Sequence, residues 1–78
     1  MVTVRLYLDS ARNVTLGVYD VRGHLVRSLH EGPAAAGWRT VVWDGRNDAG
    51  LASASGVYFL RAESPGAPSV TRKMMLVK

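Results

Sequence analysis

Apolar and polar residues alternate from the second position onward: Val2, Val4, Leu6 and Leu8 are separated by Thr3, Arg5 and Tyr7. A two-residue period puts alternate side chains on opposite faces, so this segment reads as a strand with one face on a core. Residues 9–13, Asp-Ser-Ala-Arg-Asn, interrupt the pattern, and Val14, Leu16 and Val18 resume it. Asp20-Val21-Arg22-Gly23 has Asp at the first and Gly at the last position of a tight turn, which predicts a hairpin into a strand over residues 24–30. Residues 31–37 are expected to loop, because Pro33 cannot donate to a central ladder and Gly32 and Gly37 relieve tight backbone demands. Further strands are predicted over 38–43, 56–63 and 69–77, the last two joined by a Ser64-Pro65-Gly66-Ala67-Pro68 turn.

No segment has a helical period. Branched and aromatic residues dominate the apolar runs, and Ala34-Ala35-Ala36 is too short and bracketed by Pro and Gly. Turn signals recur about every ten residues, which predicts an all-β fold: an antiparallel immunoglobulin- or fibronectin-III-like β-sandwich of about seven strands, with residues 1–78 as one domain. Alternation assigns Trp43 and one of Tyr58 and Phe59 to the core. Tyr58, early in its strand after a loop, is placed to anchor its hydroxyl on nearby backbone, as a tyrosine corner does.

A chain of 78 residues buries only about 60–65% of the surface its unfolded form exposes, which leaves little volume for a deep active site. Hydrophobic residues at 47% and charged residues at 21% are the balance of a packed domain rather than a disordered one. With no cysteine, disulfides and thiolate chemistry are excluded. The apolar runs fall well short of the roughly 18 residues that cross a bilayer as a helix, so no membrane insertion is expected. Met1 enters an alternating strand directly, without a basic and then apolar leader, so a secreted parent would carry its leader elsewhere.

The net charge of +4 would permit an acidic partner, but the ten cationic residues are spread along the chain and only Arg72 and Lys73 are adjacent. That spacing fits solvated outward positions, and nucleic acid is set aside as a partner. Catalytic groupings are equally sparse. His24 and His30 would stand at opposite ends of one strand, about 20 Å apart, too far to share a metal or a proton. No serine lies in a Gly-x-Ser-x-Gly setting, and no base is placed to activate one. The chain is therefore expected not to be an enzyme and to carry no cofactor.

Asp44, Asn47 and Asp48 cluster oxygens in a Gly-rich loop and are the candidate calcium ligands. Their spacing opposes that role: Arg46 occupies a ligand slot, Ala49 stands where the turn glycine belongs, and residues 51–55 add no carboxylate. The competing reading is an Asx-type turn in which these side chains accept backbone N–H bonds. Trp38, directly after a loop, is the candidate exposed aromatic.

Several motifs fall in order: VTLGVYDVRGHLVRSL from Val14, Gly37 with Trp43-Asp44-Gly45 and Asp48-Ala49-Gly50, ASGVYF from Ala54, and TRKMML from Thr71. Together they resemble the FlgD-type immunoglobulin-like domain, and the YD-x-x-G, SGVY and RKM segments are similar to the C-terminal sorting domain of type IX secretion cargo. The resemblance implies a non-catalytic accessory module at the C-terminus of a larger bacterial protein, secreted or on the cell surface. Sorting, anchoring and assembly are the roles it implies. The implied partners are proteins: export, anchoring or assembly machinery, or adjacent domains of the parent.

Under that implication the last strand and tail present Arg72, Lys73, Met75, Val77 and Lys78 as partner-binding candidates, to be gripped by strand addition or by charge. Removal of residues 75–78 is expected to abolish targeting without unfolding the rest. The alternatives are a structural spacer domain and a basic module that binds polyanions or glycans through Trp38 and the +4 charge.

Overall fold

In a computed structural model describing residues 1–78, six antiparallel strands form two sheets. They are β1 (Val2–Leu8), β2 (Arg12–Tyr19), β3 (Leu25–Ala34), β4 (Gly37–Trp43), β5 (Gly56–Ser64) and β6 (Ala67–Leu76). β1 and β4 pair as a two-stranded sheet, and the other sheet has the order β3-β2-β5-β6. This is the expected all-β, two-sheet architecture, with six strands where about seven were expected. Between β4 and β5 the loop holds only one isolated bridge, Arg46 with Ala52, rather than another strand.

The core follows the sequence alternation. Val14, Leu16 and Val18 of β2 and Tyr58, Leu60 and Ala62 of β5 face Leu6 of β1 and Val41 and Trp43 of β4, with Met74 and Leu76 closing one edge. Trp43 is 1% exposed and meets Tyr58 edge-to-face at a centroid distance of 4.9 Å. Such a pair adds about 0.5–1.5 kcal/mol beyond the area it buries.

Several element ends differ from expectation; β2, for one, already starts at Arg12, inside the expected break over residues 9–13. β3 runs on through Glu31, Gly32 and Pro33 to Ala34, because Pro33 lies on the outer strand of its sheet, where a missing N–H is tolerated. β6 starts at Ala67 rather than Ser69, leaving Pro65 and Gly66 to make the turn. The pairing of β2 with β3 also slips twice, leaving Val26 and Leu29 without register partners. Both turn onto the core, as residues at β-bulges can when the strand is re-aimed.

The hairpin from β2 to β3 is tied by Asp20. Its Oδ1 accepts the N–H groups of Arg22 at 2.9 Å and His24 at 3.0 Å, while Gly23 takes a φ of 83°. The backbone bond from His24 holds the Asp20 carboxyl below its usual range, with smaller help from Arg22 and the charge of His24 and against some desolvation.

Candidate functional site

The loop between β4 and β5 is built on the side chains singled out as metal ligands. Asp44 Oδ1 accepts the N–H of Arg46 at 3.0 Å, and Asn47 Oδ1 accepts those of Ala49 and Leu51, each at 3.0 Å. Asp48 reaches across to β3, where its Oδ1 accepts the N–H of Ser28 at 3.0 Å and lies 4.0 Å from Arg27 Nε. These are Asx-turn and cross-loop bonds, so the three side chains point their oxygens at different backbone groups rather than at one point.

Neighbouring groups brace the same loop. The Trp43 indole N–H donates to the Arg46 carbonyl at 2.9 Å, and the Tyr58 hydroxyl donates to the Ala54 carbonyl at 2.7 Å, the anchor expected of a corner tyrosine. Arg46 Nη1 donates to the Gly50 carbonyl at 2.9 Å. Gly45, buried with a φ of 80°, rests against the side chain of Leu76.

The loop thereby supports the end of β6, and the partner candidates there divide by face. Lys73 pairs in register with Phe59 and Met75 with Val57, both on the outer face of the four-stranded sheet. Arg72 pairs with Leu60, whose side chain points into the core, so Arg72 belongs to the inner face, although it is exposed. Val77 and Lys78 extend beyond the strand, and the Lys78 N–H donates to Ser55 Oγ at 3.2 Å. Leu76, between Met75 and Val77, is 2% exposed and belongs to the core. The expectation that residues 75–78 can be removed without unfolding the domain is therefore corrected: the deletion takes a core side chain with it.

Trp38 is 64% exposed, as expected, but on the opposite sheet from β6, so the structure does not join it to the terminal residues. It gathers two neighbours on the outer face of β1. Tyr7, its register partner on β1, meets it edge-to-face at 5.3 Å, and the Arg5 guanidinium stands 4.6 Å from its ring centroid. The signal for both was present, since Arg5 and Tyr7 occupy the polar phase of β1 and therefore the outward face.

The histidines keep separate partners. His24 lies 3.7 Å from Asp20 Oδ2. The His30 Nε2–H donates to the Gly32 carbonyl at 3.1 Å, and its Nδ1 accepts from Arg39 Nη2 at 3.1 Å. Geometry of this kind selects the Nε2–H tautomer and ties β3 to β4.

An antiparallel two-sheet sandwich with a corner tyrosine and no gathered set of titratable side chains defines an immunoglobulin-like β-sandwich domain. Residues 1–67 match the model of the FlgD Ig-like domain, and the chain belongs to that family. No curated protein and no solved structure matches it significantly. Domains of this family are generally non-catalytic.

Proposed function

We propose that this domain is a non-catalytic accessory module at the C-terminus of a secreted or cell-surface bacterial protein, acting in sorting, anchoring or assembly. The observation that carries the reading is β6. It pairs with β5 along one edge only, and its outer face presents Lys73 and Met75 ahead of Val77 and Lys78. A protein partner from export, anchoring or assembly machinery can add a strand to the open edge and use the cationic residues for orientation. Family membership and the SGVY and RKM segments support the same reading.

The test fuses the 78 residues to an exported reporter and follows surface delivery. Wild type is expected to deliver it, and a Lys73→Glu, Met75→Glu variant is expected to fail while keeping the wild-type melting curve. Both side chains are exposed, so the variant separates recognition from folding, which truncation at residue 75 does not. Equal delivery by both proteins would end the β6 reading and leave a structural spacer.

One observation favours a second reading. The Arg5, Tyr7 and Trp38 cluster on the outer face of β1 and β4 has the composition of a surface that stacks sugar rings and attracts anions. Acidic glycans titrated at low salt would show binding that Trp38→Ala abolishes. A flat titration removes this reading.

A further inference from the structure

We propose that the unpaired edge of β1, with the cleft between it and the start of β6, is a slot for a seventh strand, filled by an extended segment of a partner polypeptide. That segment is apolar at alternate positions and carries a carboxylate for Arg72. The proposal does not depend on β6 as a sorting signal, because the reporter experiment reads Lys73 and Met75 on the other face of that sheet.

The two sheets are of unequal width. Neighbouring strands lie about 4.8 Å apart, so two strands span roughly half the width of four and cannot cover the opposite inner face. On the β3 side the gap is bridged by Arg39 and His30. Toward β6 it is not. Leu60 and Ala62 of β5 are buried, yet their register partners Arg72 and Val70 on the same face are exposed, Val70 to 48%. Cover therefore stops between β5 and the first half of β6, and returns only at Met74 and Leu76.

Over the uncovered region lies a cleft of about 330 Å³ walled by Tyr7 and Leu8 at the end of β1, by Pro68 and Val70 on β6, and by Asp9 and Arg12, which are already paired with each other; Arg72 stands beside it on the same inner face. β1 pairs with β4 alone, so its other edge carries main-chain donors and acceptors without strand partners, and β1 and β6 touch only locally. A free edge beside a cleft with apolar walls and one internally paired Asp–Arg couple fits a β-strand: its backbone completes the ladder, and every second side chain meets the cleft.

Charge narrows the occupant. Arg72 has neither an ion pair nor a side-chain hydrogen bond, although it lies on the face the new strand would cover. A carboxylate on the incoming strand would complement it. Two copies of this domain are poorly matched to pair through their β1 strands. β1 reads Val-Thr-Val-Arg-Leu-Tyr-Leu and has no carboxylate to offer. Antiparallel pairing of two β1 strands about their midpoint would also set Arg5 opposite Arg5, and like charges directly opposite are destabilising.

The experiment titrates the isotope-labelled 78-residue chain with a blocked synthetic peptide of about eight residues, alternating valine and threonine with one inward glutamate. Expected are amide shifts and slowed hydrogen exchange confined to β1 and to the Pro68–Arg72 stretch. Val70→Asp should weaken binding by about tenfold or more, since it puts an unpaired charge beside Leu8 and Pro68 in the apolar part of the cleft. Replacing the peptide glutamate with lysine should weaken it too, and Arg72→Glu should restore binding of the lysine peptide. Arg72 is exposed, so this charge exchange keeps the test decisive even if Val70→Asp fails to fold. Shifts on β3, β4 or the outer face of β6, indifference to the charge exchange, self-association through β1, or no binding at millimolar peptide would each overturn the proposal.

Discussion

A Cβ added at position 45 would lie 3.2 Å from Leu76 Cδ1, so the backbone of Gly45 is seated on the side chain of Leu76. The loop after β4 and the end of β6 are thus one packing unit, though Gly45 and Leu76 stand 31 positions apart in sequence. Gly45 adds a φ of 80°, a left-handed conformation that costs a residue with a Cβ roughly 1–2 kcal/mol. Gly45→Ala is expected to destabilise the domain by about 1–3 kcal/mol through strain and the Leu76 contact together. Leu76→Ala should cost about 2–5 kcal/mol by leaving a cavity. Urea unfolding measures both, and an unchanged midpoint for either variant would show that this contact is absent in solution.

Trp43 and Tyr58 join the two sheets and also hold the loop through the Arg46 and Ala54 carbonyls. Tyr58→Phe keeps the ring contact and removes only the hydroxyl bond, so a loss of about 1 kcal/mol is expected. A double-mutant cycle using Trp43→Phe and Tyr58→Leu should return a coupling of about 0.5–1.5 kcal/mol. Strict additivity would mean that the rings do not interact.

Asp20 supplies a pH signature. Its carboxyl is held below the ordinary 3.8, chiefly by the backbone bond from His24, so folding favours its ionised form. The stabilisation is fully present above 3.8 and is lost as pH falls through the lower folded value. Asp20→Asn retains a side-chain oxygen for the two N–H groups but does not titrate. The stability of wild type relative to this variant should therefore decline as pH drops below 3.8. Parallel stability curves across that window would refute the assignment.

The Oδ1 atoms of Asp44, Asn47 and Asp48 accept N–H groups at different places along the backbone, and no three acidic side chains gather at one point, so the loop offers a calcium ion no converged set of ligands. Millimolar calcium is expected to leave the melting temperature unchanged. Asn47→Ala, which strands two N–H groups, should cost about 0.5–2 kcal/mol, on the scale of a lost cap. A calcium-dependent rise in melting temperature that Asp48→Ala removes would restore the metal reading.

The two tryptophans should be optically distinct. Trp43 is 1% exposed and Trp38 64%, so acrylamide should quench the emission of Trp38 and spare that of Trp43. A Trp38→Phe variant isolates the protected component. Strong quenching in that variant would contradict the buried position of Trp43.

Alternation along the chain determined the fold class, because a period of two fixes which side chains share a face whatever lies opposite. Val2, Val4, Leu6, Leu8, Val14, Leu16 and Val18 were assigned to the inner phase in that way, and the turn residues around Asp20 and Gly45 marked where strands end. The motifs from Val14 onward were also enough to point to the family. Tertiary structure decided what local pattern does not encode. It extended β3 through Pro33, because that residue falls at a sheet edge, and it made Leu76 a core side chain seated on Gly45. It placed Trp38 beside Tyr7 and Arg5, on the opposite sheet from β6. It also left Val70 and Arg72 uncovered on an inner face, because burial depends on how far the opposing sheet reaches, and the spacing of residues along one strand carries no record of that.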